Sequence, residues 1–206
     1  GNPPLNCWTH CEKCDSLRRK LGITATDGSE NWRLQKHLFD RVIDTLRTRH
    51  GKTPMFWYET DFREIPEGCV TFAWRHGLTA AAIRAAQENG RKIMLCPGEH
   101  CYLDYPAAPG DMPEVNWGMP VTSLEQTYRL DPAWGFGEDF EKHNLMGVAG
   151  TLWSECISSP ERLYYMAYPR AMALAEAGWS IPANRSWESF RERVKHQMRQ
   201  HRLRRF

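Results

Sequence analysis

The stretch from Met146 to Ser180 limits the fold more than any other. A short apolar run rich in small residues, from Gly147, ends in Leu152-Trp153-Ser154-Glu155. A long pattern of helical period follows directly. Such a run reads as a buried strand that delivers an indole and a carboxylate to its C-terminal end, with a helix leading away. Pro169 cannot sit inside a helix without losing a hydrogen bond, so the helical part is expected to break near Tyr168, with Pro169 opening a second helix. Alternating strands and helices build parallel sheets, and sites in such sheets sit at the C-terminal strand ends.

The same alternation runs upstream. Leu38, Phe39, Val42, Ile43 and Leu46 share one face of a helix expected over Asn31 to His50, closed by Gly51. Strands are expected at Pro54 to Glu59, Cys69 to Trp74, Lys92 to Cys96 and Gly147 to Trp153, and an alanine-rich helix over Thr79 to Asn89. Residues 97–144 form a long loop rich in Pro, Gly, Trp and Tyr, a length usually kept for function. Trp187 onward predicts a helix with Trp187, Phe190, Val194 and Met198 on its apolar face and a basic opposite face. A solvated face accounts for that charge better than a nucleic-acid or membrane contact.

Four strands with their helices make half of a (β/α)8 barrel, whose complete form has eight strands and about 250 residues. The expected organisation is a partial barrel over 1–180 and a basic C-terminal helix over 181–206 packed on it. A half-barrel leaves sheet edges open, so a missing half or a second copy is expected to cover them. The net charge of +2 carries no nucleic-acid signature, and no apolar run is long enough to span a membrane.

Seven cysteines are scattered through 206 residues, which is not a disulfide framework. Cys69, Cys96 and Cys156 read as buried thiols. Cys7, Cys11 and Cys14, with His10 among them, have a spacing that could hold zinc or an iron–sulfur cluster. Plain thiols or one disulfide at a helix start is the favoured reading, and no cofactor is expected.

Trp57, Trp74, Tyr102-Leu103-Asp104, Trp117 and Trp153-Ser154-Glu155 lie at or just after successive strand ends. Any one aromatic is as well explained as core. Together they put flat apolar faces and carboxylates at one end of the sheet, which is the chemistry of a sugar site.

On these residues the chain, from Asn6 to Ser180, resembles the C-terminal half of the catalytic barrel of glycoside hydrolase family 20, the β-N-acetylhexosaminidases. The carriers are the helix from Leu34-Gln35, Phe56-Trp57-Tyr58-Glu59, Phe72-Ala73-Trp74, Tyr102-Leu103-Asp104, Asp131-Pro132, Gly147 to Glu155, and Pro169-Arg170 through Ala173-Leu174-Ala175-Glu176 to Trp179-Ser180. The resemblance implies substrate-assisted hydrolysis of a terminal N-acetylhexosamine on a glycan, in a periplasmic, secreted or lysosomal setting. In that chemistry the 2-acetamido carbonyl oxygen attacks the anomeric carbon. By position, Trp57, Trp74 and Trp153 would wall the acetamido pocket and Tyr102 would donate to its oxygen. Asp104 and Glu155 would hold sugar hydroxyls, and Trp117 would stack on a sugar face. The family's Asp-Glu proton-transfer pair, in a His-x-Gly-Gly-Asp-Glu stretch, is absent. The only adjacent acidic pair of this kind is Glu138-Asp139. The expectation is a chain that begins just downstream of that pair and is inactive alone. The alternatives are a non-catalytic carbohydrate-binding or assembly module, and a metal protein built on Cys7, Cys11 and Cys14.

Overall fold

The computed structural model describes residues 8–24, 29–58, 66–111, 118–133 and 144–200. Two compact units divide the chain, Gly1–Pro54 and Met55–Phe206. In the first, helix α1 (Glu12–Lys20) is followed by α2 (Glu30–His50). The Arg18 guanidinium donates to Asp15 at 2.5 Å, to the Trp8 carbonyl at 2.9 Å and to Asn31 at 2.7 Å, so one side chain joins the start of α1 to the start of α2. Gly51 is left-handed (φ 57°) and ends α2 as predicted, its N–H bonding back to Arg47. The expected buried face of α2 is only partly buried. Leu34 is covered, but Leu38 and Val42 are 52% and 46% exposed.

The second unit is built on a four-stranded, all-parallel sheet in the order β1-β2-β3-β4, with β1 at Met55–Trp57, β2 at Val70–Ala73, β3 at Lys92–Leu95 and β4 at Leu145–Val148. Helix α3 (Thr79–Glu88) crosses between β2 and β3 and buries Ala82, Ile83 and Ala86 against them. The register sets Trp57 beside Phe72 and Ala73 beside Leu95, so the strands end in step.

Two elements depart from the sequence reading. The fourth strand starts at Leu145 and its ladder stops at Val148, not Trp153. Ile93 pairs with Leu145 and Met94 with Gly147, so Met146 is an extra residue at a bulge. Beyond Leu95 the neighbouring chain turns into a short helix, α4 (Gly98–Cys101), and strand-like pairing resumes only at Thr151 against Tyr102. The long segment 97–144 is also not bare loop. It holds α4 and α5 (Leu124–Tyr128), the latter capped by the Ser123 hydroxyl accepting from the Gln126 N–H at 3.1 Å. Residues 112–117 and 134–143 lie outside the described residues.

The helical stretch breaks where proline requires it. Helix α6 (Pro160–Ala167) stops before a cis Tyr168-Pro169 bond, and α7 (Arg170–Trp179) starts after it. Two glycines permit close approach of α7 to the sheet. A Cβ on Gly178 would stand 2.8 Å from Val148, and one on Gly150 would stand 2.4 Å from Leu174. The last helix, α8 (Trp187–Gln200), lays Phe190 and Val194 against Tyr128 and Ala173, with Trp187 and Met198 alongside. Its face is the predicted one. Part of its basic charge is paired, Arg193 with Glu176 at 2.7 Å and Lys195 with Glu192 at 2.6 Å. No helix among the described residues is long and apolar enough to cross a membrane.

One polar side chain fastens α7 to the segment after β3. Arg170 is 2% exposed, and its guanidinium donates to the carbonyls of Leu103 (2.5 Å), Tyr105 (3.0 Å), Thr122 (2.8 Å) and Met166 (2.8 Å). Burial holds its pKa down to about 10, and the charge survives because the carbonyls replace water and Asp111 lies near. Arg170→Met would keep the volume and strand those carbonyls. We expect a loss of about 3–5 kcal/mol in unfolding free energy by urea titration, and only a minor recovery with Arg170→Lys, which cannot fork. A loss below about 1 kcal/mol would show that the hub is dispensable.

Candidate functional site

The strand ends deliver four of the expected aromatics to one place. Trp57 closes β1, Trp74 follows β2, Tyr102 follows α4 and Trp153 follows the Thr151 bridge. Trp57 lies 5.7 Å from Trp153 and 6.5 Å from Trp74, ring centre to ring centre, meeting the latter edge-on at 84°. Trp74 stacks on Tyr102 at 6.0 Å, and Tyr102 lies 6.4 Å from Trp153. The four rings therefore close a circuit. Phe72 supports Trp57 from the sheet at 4.7 Å, and Tyr105 supports Tyr102 at 5.1 Å. Trp153 is 40% exposed, so this wall of the box faces water and is not the buried strand end that the sequence suggested.

Below the rings lie Cys96, Cys101, Leu130 and Leu174, all buried. The Tyr102 hydroxyl is the polar point in this apolar setting. Burial pushes its pKa well up, so it stays a neutral O–H at any physiological pH. The Trp153 side chain opposes that shift, and a neutral hydroxyl here keeps a proton that it can donate. The Trp74 indole N–H and the Thr151 hydroxyl are buried without a partner among the described residues.

Asp104 adds a buried carboxylate two residues after Tyr102. It is 3% exposed, and burial raises its pKa to about 6, opposed by the backbone N–H groups of Asp104 and Trp153 and by Arg170. Its Oδ1 is buried without a partner among the described residues, an acceptor held ready for a donor. Glu155 stands exposed on a 3₁₀ turn, Ser154–Cys156, and its charge adds to the upward shift of Asp104. Trp117 lies outside the described residues.

The structure thus gathers Trp57, Trp74, Tyr102 and Trp153, with Asp104 and Glu155 beside them. Sequence reasoning missed Tyr105 as a supporting ring and Arg170 as the anchor of the Tyr102–Asp104 segment. The signal for Arg170 was a lone cation inside the otherwise apolar run Arg170 to Ala175. Cys69 and Cys96 are buried free thiols as expected, Cys101 is a third that the sequence reading did not single out, and Cys11 and Cys14 are free and half-buried. Cys7 and the side chain of Cys156 lie outside the described residues. No group of three or more metal-ligating side chains forms among the described residues.

An apolar box of this kind suits a methyl group, and one O–H donor within it suits a carbonyl oxygen. A buried carboxylate acceptor without a partner among the described residues suits a hydroxyl. The arrangement fits a small amide carried on a polar ring.

The raised pKa of Asp104 has a consequence for stability. Between its ordinary value of 3.8 and about 6, the native chain keeps a proton that the unfolded chain has lost. Stability from this group therefore falls as pH rises through that window, by about 3 kcal/mol, and is level above it. Urea unfolding from pH 4 to 7 should show this fall, and Asp104→Asn should remove it. An identical pH profile for both chains would contradict the burial of an ionisable Asp104.

The family model for the glycosyl hydrolase family 20 catalytic domain matches residues 3–182. A β-hexosaminidase of Akkermansia muciniphila is 36% identical over 192 residues, which cover 93% of this chain and 37% of the relative. A crystal structure of a β-N-acetylhexosaminidase superposes with a TM-score of 0.78 at 35% identity, over 98% of this chain and 41% of that one. The family 20 exo-β-N-acetylglucosaminidase of Vibrio harveyi, solved in complex with N-acetylglucosamine, superposes with a TM-score of 0.80 at 29% identity, over 99% of this chain and 31% of that one. The chain spans about two fifths or less of the length of these relatives. It belongs to glycoside hydrolase family 20, and its sheet is part of a (β/α)8 barrel.

Proposed function

We propose that this family 20 chain supplies the acetamido-binding wall of a β-N-acetylhexosaminidase site. The observation that carries the reading is the closed circuit of Trp57, Trp74, Tyr102 and Trp153, with the Tyr102 hydroxyl kept neutral by burial. The three indoles hold the acetamido methyl. Tyr102 donates to the acetamido oxygen and so aims it at the anomeric carbon, where it acts as the nucleophile. Holding that oxygen in place is the chain's main contribution to rate. Asp104 and Glu155 accept from sugar hydroxyls, and Trp117 stacks on a sugar face.

Proton transfer is assigned to residues outside these 206, since no Asp-Glu pair stands in the family's motif here. The sheet supports a partner: among the described residues, β1 and β4 each have one strand neighbour, and in a closed barrel both edges are paired. A complementary half-barrel, or failing that a second copy, would supply the missing strands and the general acid. The exported or lysosomal setting common to the family goes with this reading.

The test is direct. The 206-residue chain should release no 4-nitrophenol from 4-nitrophenyl N-acetyl-β-glucosaminide, because losing a general acid alone lowers rates by about 10²–10⁴-fold. It should bind N-acetylglucosamine in preference to glucosamine, and Tyr102→Phe should weaken that binding about five- to tenfold without affecting glucosamine. Turnover by the chain would overturn the assignment of proton transfer elsewhere. Equal binding of the two sugars would favour a module that has kept the barrel and lost the acetamido site.

A further inference from the structure

Cys11 and Cys14 belong to the two-helix unit, and the function proposed above uses neither. They stand two residues apart at the start of α1, in the run Cys11-Glu12-Lys13-Cys14. Cys11 is the N-cap, with extended backbone (φ −108°, ψ 111°), and its Sγ accepts the Cys14 amide N–H at 3.4 Å. This is the place a serine or aspartate oxygen usually fills. The Cys14 thiol stands one turn along on the same helix start. The Cys11 sulfur thus lies against the backbone of Cys14, and both cysteines are free and half-buried.

The environment divides the pair into two roles. A helix N-terminus favours a thiolate, and the cap amide points at Cys11. The thiol and amide of Cys14 hold the Cys11 thiol below its ordinary range, while Cys14 is pushed up. The acidic Glu12 and Asp15 share this turn with the basic Lys13, and Arg18 reaches back from the last turn to pair with Asp15, so neither sign of charge dominates it. Cys96 and Cys101, the buried pair beneath Tyr102, differ in having no exposed surface through which a small oxidant could reach them.

The geometry points to a redox-active dithiol at the head of α1, in which Cys11 and Cys14 close and open a disulfide by exchange with a small-molecule disulfide. The Cys11 thiolate attacks one sulfur of the disulfide, forms a mixed disulfide and releases the first thiolate. Cys14 then loses its proton to solvent and attacks the Cys11 sulfur, which releases the second. Two protein thiols are oxidised by two electrons, the small disulfide is reduced to two thiols, and the two protons end on those products. The product braces the first turn of α1 covalently where the N–H···S bond now holds it.

The experiment equilibrates the 206-residue chain with graded ratios of reduced to oxidised glutathione, quenches with N-ethylmaleimide and digests with trypsin. Cleavage after Lys13 and Arg18 places Cys11 in peptide 1–13 and Cys14 in peptide 14–18, so the disulfide appears as a linked pair. Fragmentation of that pair tells Cys11 from Cys7, and the Cys7→Ser chain gives the same answer independently. Unlabelled Cys96 and Cys101 report that the fold is intact. The linked pair should rise from about one tenth to about nine tenths over roughly a hundredfold change in the glutathione quotient, in the unaltered and Cys7→Ser chains alike, and vanish in Cys11→Ser. Alkylation of both thiols at every ratio would overturn the proposal. So would a link that needs Cys7, or one equivalent of bound zinc that shields the thiols until a chelator removes it.

Discussion

A single buried guanidinium carries the arrangement on which the rest of the second unit depends. A charge at this depth is tolerable only when every donor is met. Arg170 meets carbonyls from three separate stretches: its own preceding turn at Met166, the Leu103–Tyr105 segment and Thr122. The carbonyls of Leu103, Tyr105 and Thr122 belong to irregular backbone, which has no ladder of its own to satisfy it, and that of Met166 lies in the last turn of α6. The Arg170 fork serves instead, and so fixes the chain on either side of Asp104. Tyr102 keeps its place because the backbone next to it is pinned both to α7 and, through Thr151, to the extension of β4.

The aromatic box follows from that anchoring and from the sheet. Parallel strands in step bring Trp57 and Trp74 to the same edge at fixed spacing, and the bulge after Ile93 resets β4 so that the chain continues to Trp153 opposite them. The hydroxyl of Tyr102 is then a neutral polar group set within an apolar enclosure. An apolar enclosure with one such donor selects an amide over a free amine or a hydroxyl, since either of those would lose hydrogen bonds to water on entering.

Much of this was legible in the sequence, and the parts that were not have physical reasons. The strand–helix alternation, the Gly51 stop, the break at Tyr168-Pro169 and the apolar face of the last helix follow from periodicity and from residues with one permitted conformation. The four aromatics were found because they stand at strand ends. The bulge at Met146 was hidden because a displaced residue in an apolar run leaves no mark on the pattern. Helix α5 was hidden because five residues are too few to show a period, although the Ser123 cap was present. The face of α2 was over-read, since periodicity marks which residues align and not whether a neighbour covers them. Arg170 was passed over as a site because arginine is seldom fully buried, and its position inside an apolar helix was the clue.

The central claim is that the ring circuit receives an acetamido methyl. Saturation-transfer NMR of N-acetylglucosamine with the 206-residue chain tests it most directly, read beside Trp57→Ala and Trp153→Ala chains. The account predicts that the acetamido methyl protons receive the strongest saturation of any in the sugar, and that each substitution reduces this selectively. Saturation spread evenly over the sugar ring, unchanged when the indoles are removed, would contradict it.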